Sequence, residues 1–289
     1  VDGLTEVYRA ALPENVEPEP EFGLGSENLH LREACVMALA SFAERGENVA
    51  DQLWLAFDDP VDSIRLNAMV ALPDCGMAGG RHADRIREEL RAAEKFALEN
   101  DDVLCFGASR TPQALLLSAW WKLAAGESRT QCIAHYKKML RSDNYQDRWA
   151  LLRHFDYDAT CTPLLADLRE VFSSELVREE DWTWDERADV ASAICRIDPQ
   201  DAAARAYLLT SARREVAAAN AEPPCAYFYL DGHFRALDGA STEVIESLRY
   251  VPGEDVRQLL LAAARSRDIK MRQAATKILA TREDRTVRP

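Results

Sequence analysis

One short pattern recurs along this chain, and it limits the fold more than any other feature of the sequence. An aliphatic residue and an arginine are followed by mostly small residues and a closing aliphatic residue. Clear copies lie at residues 31–39, 64–72 and 271–279, and looser copies lie at 112–120, 148–152 and 186–194. The apolar residues recur at three- and four-residue spacing, which is typical of a helix face packed against its neighbours. A unit repeated in this way predicts stacked helix pairs that share one core.

Several copies follow an acidic turn, such as Asp58-Asp59-Pro60 before the second copy and Arg267-Asp268 before the last. We expect the arginine to reach back to the acidic turn of its own or the adjacent repeat. The combination of acidic turn, aliphatic-Arg pair and small residues resembles the first helix of HEAT repeats. The resemblance covers residues 26–281 and implies an all-α chain, a right-handed α-solenoid of about six to seven HEAT-like helix pairs.

Helix signals place the individual elements. First helices of the pairs are predicted near residues 27–45, 60–73, 110–125, 144–156, 183–197, 240–250 and 268–281, and second helices near 48–57, 82–98, 128–141, 163–175, 200–218 and 254–265. Residues 1–25 are predicted to be an acidic, proline-containing lead-in, extended or partly helical, and residues 282–289 a tail. An irregular insertion is predicted at 219–238, where Pro223-Pro224 and Asp231-Gly232 mark turns.

Composition excludes some classes of protein. Hydrophobic residues make up 47% of the 289 residues and charged residues 29%, which is typical of a folded domain. Apolar runs fall short of the ~20 residues that a membrane span requires. Seven cysteines without a C-x-x-C pair are typical of small core residues in a reducing compartment, so we expect a cytoplasmic protein. The alanine- and arginine-rich, lysine-poor composition is typical of a GC-rich bacterial genome.

The charge of the chain bears on its partners. The formal net charge is −14, and residues 241–289 carry ten basic and seven acidic side chains, so residues 1–240 carry −17. An acidic body repels phosphate backbones and anionic membranes and attracts basic surfaces. We therefore expect another protein with a basic surface as the partner, whereas the same charge disfavours nucleic acid and membranes. A purely solubilising role for the charge is the alternative.

Motifs that carry chemistry are missing from the sequence. The five histidines have no metal-ligand spacing, and the His-Glu dipeptides of iron-binding HEAT-like enzymes do not occur. Phosphate-binding glycine loops and a G-x-S-x-G nucleophile elbow are also lacking. The sequence therefore predicts a protein without a metal, a cofactor or a catalytic residue.

One segment combines aromatic and acidic residues where a helix is expected to begin. Its members are Glu179, Glu180, Asp181, Trp182, Trp184 and Asp185. One interpretation is structural, because acids favour a helix N-terminus and an apolar residue there often packs onto the first turn. The other is a partner-binding patch, because aromatic residues are enriched among binding hot spots.

A second candidate surface follows from the solenoid hypothesis, in which second helices line the concave face. Arg87, Arg91, Tyr136, Lys137 and Arg213 lie on predicted second helices and would form a basic stripe. A solvated amphipathic face is the alternative. The adjacent Trp120-Trp121 pair projects about 100° apart on a helix, so we expect one ring in the core and the other, Trp121, nearer a groove.

These observations favour a non-enzymatic protein-binding scaffold, adaptor or inhibitor that uses the concave face of the solenoid. An immunity-type protein that neutralises a basic toxin is one version of this hypothesis. The alternative is a nucleic-acid binder similar to the HEAT-like alkylpurine DNA glycosylases, suggested by Arg148-Trp149 and the Trp120-Trp121 pair. Only six lysines and the net charge of −14 count against it.

Overall fold

The computed structural model describes residues 2–12, 27–75, 80–99, 110–174, 185–220, 227–230, 233–236 and 242–286. The helices are α1 Asp2–Ala10, α2 Glu27–Glu44, α3 Ala50–Leu55, α4 Asp62–Ala71, α5 Gly80–Glu99, α6 Thr111–Leu123, α7 Gly126–Leu140, α8 Tyr145–His154, α9 Leu165–Ser173, α10 Glu186–Ile197, α11 Ala202–Asn220, α12 Glu243–Ser247, α13 Glu254–Ala263 and α14 Ile269–Thr286. Short 3₁₀ turns at Ala56–Asp58, Leu72–Cys75, Ala159–Leu164 and Leu248–Tyr250 extend several of them.

The prediction of an all-α chain is confirmed. Each helix predicted between residues 27 and 281 corresponds to a helix of the structure, in some cases extended by a 3₁₀ turn. In the described part of the chain, strands are limited to one antiparallel hairpin within the predicted insertion. Its strands β1 Tyr227–Leu230 and β2 His233–Ala236 pair from Tyr227 opposite Ala236 to Leu230 opposite His233.

The chain divides into two compact units, residues 1–156 and 157–289. In the first unit, α2, α4, α6 and α8 pack on one another in series, and α3, α5 and α7 pack against them. In the second unit, α10, α12 and α14 pack in series, and α11 and α13 pack against these helices and each other. Each unit is therefore a row of packed helices, while a single repeat domain over residues 26–281 stays a prediction.

The repeated pattern supplies the core. Several of its small and aliphatic positions are buried in each clear copy, as at Leu39, Ile64, Ala68, Met271 and Ala275, although Leu31 at the start of the first copy is exposed. Small residues at these positions let neighbouring helices approach closely while the aliphatic side chains fill the space between them.

Cysteine thiols also lie in this core. Cys35, Cys132, Cys161 and Cys195 are buried and are not in disulfides. Burial raises the pKa of the Cys161 thiol to about 11 and that of Cys195 to about 12. The Cys161 and Cys195 thiols therefore remain protonated in the core.

The arginines of the pattern have the same structural role in three copies. Each guanidinium donates a hydrogen bond to the backbone carbonyl six residues earlier, in the turn before its helix: Arg65 to Asp59, Arg148 to Ser142 and Arg272 to Ser266. The distances are 2.7 Å for Arg65 and 2.8 Å for Arg272. The prediction that the arginine reaches back to its turn is thus confirmed, but the shared acceptor is a carbonyl and not a carboxylate.

The same three turns are closed by a second hydrogen bond. Asp59, Ser142 and Ser266, whose carbonyls accept from the arginines, also accept a hydrogen bond through their side chains. The donor in each case is the backbone N–H two residues later: Val61 donates to Asp59 at 2.9 Å, Asn144 to Ser142 at 3.2 Å and Asp268 to Ser266 at 3.2 Å. Such side-chain turns suit Asp and Ser, whose short polar groups bond nearby backbone. We refer to the turn and its arginine together as the clamped turn.

Asp59 has a further role that the sequence did not indicate. It is 2% exposed, accepts a hydrogen bond from Tyr8 Oη at 2.7 Å and lies 3.4 Å from Arg32 Nε. Burial, together with this hydrogen bond and the charge of Asp59, raises the pKa of the Tyr8 hydroxyl above its ordinary range. Asp59 therefore joins α1 and α2 to the turn before α4.

The structure adds detail at both ends of the predicted repeat domain. Within the predicted lead-in, which could be partly helical, α1 packs on α2 and buries Tyr8 in the first unit. At the other end, α14 continues past residue 281 to Thr286. Arg282 there donates to the backbone carbonyl of Val251 at 2.6 Å, which fixes the end of the helix to the loop before α13.

We expect Asp59→Ala to lower the free energy of unfolding by about 3–5 kcal/mol, because it leaves the buried Arg32 guanidinium without its carboxylate. Urea denaturation followed by circular dichroism measures the change. Asp62→Ala is the matched control, since the Asp62 side chain is 91% exposed and should change stability by less than about 1 kcal/mol. Equal losses in the two variants would contradict the role assigned to Asp59.

Candidate functional site

Most of the predicted aromatic–acidic patch lies outside the described residues, namely Glu179, Glu180, Asp181, Trp182 and Trp184. Asp185, its last member, is described and begins α10 as the N-cap. Its carboxylate accepts the backbone N–H of Ala188 at 2.9 Å and the Tyr207 hydroxyl at 3.0 Å. The structural interpretation therefore holds for Asp185, and partner binding by the other members stays a prediction.

The expectation that Trp121 and Tyr136 contact a partner is wrong. Their exposed fractions are 1% and 0%, and both rings pack edge-on against Phe155, at centroid distances of 6.1 Å and 5.2 Å. Trp120 is buried as well and donates from Nε1 to Ser128 Oγ at 2.9 Å. Both tryptophans are enclosed because α6 has helices on several sides, α4, α5, α7 and α8.

The predicted basic stripe is only partly assembled. Arg87 on α5 donates to Gln131 on α7 at 2.9 Å and lies 3.0 Å from Asp84, so its charge is paired. Arg91 is exposed on α5, and Lys137 is half-buried on α7. Arg213 is exposed on α11 in the second unit. Arg87 is therefore joined to α7 through Gln131, and a continuous basic stripe stays a prediction.

A carboxylate that the sequence did not single out lies between α5 and α7. Glu94 Oε1 is 3.2 Å from His135 Nε2 and accepts from Lys138 Nζ at 3.2 Å. Contact with His135, opposed by burial and supported by Lys138, lowers the pKa of Glu94 to about 2. Two basic residues of α7, His135 and Lys138, therefore contact one acid of α5.

A cavity lies in the second unit, between α9, α10 and α11. It is an open groove of about 720 Å³. We call it the α9–α11 groove, and the lining residues used here are Arg169, Phe172, Arg187, Ala206, Tyr207 and Thr210. Sequence reasoning did not find this groove, because its residues are spread over some forty positions of the chain with no shared motif.

An aromatic pair forms part of the groove wall. The rings of Phe172 and Tyr207 meet edge to face, with centroids 5.7 Å apart and planes at 89°. The Tyr207 hydroxyl donates to Asp185, and the Ser211 hydroxyl lies 3.4 Å from the same carboxylate. The N-cap residue of α10 therefore also holds the aromatic wall in place through Tyr207. The wall is an apolar surface whose side chains have few accessible rotamers.

One arginine of the groove is paired with carboxylates. Arg169 donates from Nε to Asp201 at 2.8 Å and from Nη2 to Asp198 at 2.9 Å. Burial raises the pKa of Asp201, but the backbone N–H of Ala204 and the Arg169 guanidinium lower it overall. Arg187 donates to the backbone carbonyl of Ser174 at 3.2 Å. The groove wall thus combines an aromatic pair with arginines that are already held by contacts within the protein.

Other observations bear on the class of site. In the ranges that the structure describes, no group of three or more His, Cys, Asp or Glu side chains is placed to hold a metal ion. None of the described helices has the length and apolarity needed to cross a bilayer. Comparisons with protein-family models, curated proteins and solved structures give no match to this chain. The absence of metal, cofactor and catalysis stays a prediction.

The depressed pKa of Glu94 predicts a dependence of stability on pH. A folded-state pKa below the ordinary value means that the stabilisation is complete above about pH 4.5 and is lost as the pH falls towards 2. Glu94→Gln should therefore lower the free energy of unfolding at neutral pH by about 1–2 kcal/mol, after allowance for solvent screening.

Urea denaturation from neutral pH into the acid range measures this difference, which should shrink as the solution becomes more acidic. Glu88→Gln is the matched control, since the Glu88 side chain is 61% exposed and its distance of 3.8 Å from Arg85 is long for an ion pair. If the free energies of unfolding of Glu94→Gln and of the unsubstituted protein differed by the same amount at all pH values, the lowered pKa assigned to Glu94 would be contradicted.

Proposed function

We propose that this chain is a non-enzymatic protein-binding scaffold, adaptor or inhibitor of the HEAT-like solenoid type, and that a segment of its partner lies in the α9–α11 groove. The observation that carries the proposal is the groove itself, an open cavity of about 720 Å³ on the face of packed helices. Clefts between helices with an apolar wall and a few fixed polar groups are typical binding surfaces.

The groove is suited to binding because its side chains are already held. Tyr207 is oriented by Asp185, Arg169 by two aspartates and Arg187 by a backbone carbonyl. Side chains that are fixed before association lose little conformational freedom on binding, so more of the contact energy contributes to affinity. Phe172 and Tyr207 supply the aromatic contact area that binding hot spots favour.

The charge supports a partner with a basic surface. The net charge of −14 attracts a basic protein over long range. The groove does not oppose such a partner, since Arg169, its cation on α9, is neutralised by Asp198 and Asp201. A basic toxin held by an immunity-type protein is one partner of this kind.

The nucleic-acid alternative has less support. Of the four residues that suggested it, Arg148, Trp120 and Trp121 are buried in the first unit, and Trp149 is half-buried. Arg148 is occupied by the carbonyl of Ser142, and Trp120 by Ser128. The three buried residues therefore do not line a surface that a base could reach. Weak binding to labelled duplex DNA at low salt is expected, whereas tight, salt-sensitive binding would favour the alternative.

Ala206→Trp tests the groove. Ala206 is exposed on α11 and lines the groove, so a large ring there should obstruct a bound segment without disturbing the core. The partner is first captured from a lysate of the source organism on the immobilised protein, identified by mass spectrometry and purified. Isothermal titration calorimetry then measures its affinity, which we expect to fall by about tenfold or more in the variant.

Ala262→Trp is the matched control, because Ala262 is exposed on α13 and does not line the groove. We expect its affinity for the partner to equal that of the unsubstituted protein, and thermal melts of both variants should show intact folding. A partner that binds Ala206→Trp as tightly as the control would place the interface elsewhere. Capture of nucleic acid alone would reject the protein-binding proposal.

A further inference from the structure

A second cavity in the second unit has a different chemistry from the α9–α11 groove. It has a volume of about 350 Å³ and lies between α12, the 3₁₀ turn that follows it and α14. We call it the α12–α14 pocket, and the lining residues used here are Glu246, Arg249, Tyr250, Lys277, Ile278 and Arg282. The pocket thus combines three basic side chains, one acid, one aromatic ring and one aliphatic wall.

The pocket has a rigid base. Arg282 on α14 donates from Nη1 to the carbonyl of Leu248 at 3.3 Å and from Nη2 to that of Val251 at 2.6 Å. These bonds fasten α14 to the turn that carries Arg249 and Tyr250. One cation of the pocket is therefore fixed in place by backbone acceptors, and its charge is not cancelled by a carboxylate in these contacts.

The second cation is oriented by an aromatic ring. The guanidinium carbon of Arg249 lies 4.6 Å from the centroid of the Tyr250 ring, and that of Arg196 lies 5.0 Å from the same centroid. Stacking of a guanidinium on a ring fixes its plane while leaving its N–H groups available at the edge. Arg249 makes no ion pair with any described residue. The N–H groups of the Arg249 guanidinium are therefore available to an acceptor on a bound ligand.

The third cation is Lys277, which is exposed on α14 and also makes no ion pair within the described ranges. Among the described residues that line the pocket, three cations against the single acid Glu246 give a net positive charge, although the chain as a whole carries −14. Like charges gathered in this way repel one another unless an anion is bound between them. The excess of positive charge is a local feature that a bound anion would relieve.

We propose that the α12–α14 pocket binds an oxyanion, a carboxylate or phosphate group, on a ligand with an apolar part that lies against Ile278 and Tyr250. Arg249 matches such a group geometrically, since a guanidinium fork pairs with two oxygens at once. Lys277 and Arg282 add point charges, and the aliphatic wall accepts the rest of the ligand. This site is separate from the α9–α11 groove and does not depend on the protein-binding proposal.

Glu246 makes the pocket selective between anions of different charge. Its carboxylate lines the same cavity and repels a second negative charge on the ligand. A carboxylate carries one negative charge, whereas a phosphate near neutral pH carries between one and two. The pocket should therefore accept both groups, and removal of the Glu246 charge should favour phosphate more than carboxylate.

The probes are inorganic phosphate, benzoate and phenyl phosphate, titrated into the full chain by isothermal titration calorimetry at low, matched ionic strength. We expect saturable binding of at least one probe, weakened by added sodium chloride because salt screens exposed charges. Tighter binding of phenyl phosphate than of benzoate would identify a phosphorylated ligand as the source, and the reverse order a carboxylate. A free-anion site would bind inorganic phosphate as tightly as phenyl phosphate.

Two substitutions should act in opposite directions. Arg249→Gln should weaken binding by about tenfold or more, because it removes the charged donors, whereas Glu246→Gln should tighten binding of phosphate. A merely destabilised fold would weaken binding in both variants, so the opposite signs identify a direct electrostatic role. Lys277→Gln provides a second loss of charge at an exposed position if Arg249→Gln does not fold.

Arg265→Gln is the matched control, since Arg265 is exposed, lies outside the pocket and changes the net charge by the same amount. We expect it to leave probe binding unchanged. Absence of saturable binding at millimolar probe concentrations would overturn the proposal. So would equal losses of affinity in Arg265→Gln and Arg249→Gln, since binding would then follow overall charge and not this pocket.

Discussion

The clamped turn is the interaction on which the rest of the structure depends. A helix cannot satisfy the carbonyl groups of the turn that leads into it, and a buried carbonyl without a donor costs free energy. The arginine about one turn into the helix bends back and supplies that donor, as Arg65 and Arg272 do in their respective units. Because the bond joins helix to turn, it fixes the direction from which the chain enters α4, α8 and α14.

The two surfaces proposed for binding result from the same use of polar side chains. In the α9–α11 groove, Arg169 is paired with two aspartates beside the aromatic pair of Phe172 and Tyr207. In the α12–α14 pocket, Arg282 is held by backbone carbonyls, and Arg249 makes no ion pair with any described residue and lies against the Tyr250 ring. We therefore propose a protein segment for the groove, whose α9 cation already has its carboxylates, and an anion for the pocket, whose cations have none among the described contacts.

The sequence predicted the helices well, because apolar spacing and turn residues are local signals. It did not predict that α1 belongs to the core, since Tyr8 finds its partner Asp59 across 51 positions of the chain. The prediction for Trp121 was wrong because a helix face was assumed to be either inside or outside, while α6 is covered on several sides. The groove was missed for a related reason, because Phe172 and Tyr207 meet only when α9 packs beside α11. Contacts of this kind depend on tertiary structure, which spacing along the chain does not encode.

The buried cysteines of the core have a consequence for how the molecule opens. A thiol reacts as its thiolate, and the Cys161 and Cys195 thiols are both shielded and held protonated, with a pKa of about 11 and about 12 respectively. A labelling reagent can reach either one only when the surrounding helices separate. Cys35 in α2 and Cys132 in α7 are likewise buried, in the first unit. The rate at which a thiol reagent labels each buried cysteine would therefore report how often the helices around that cysteine separate.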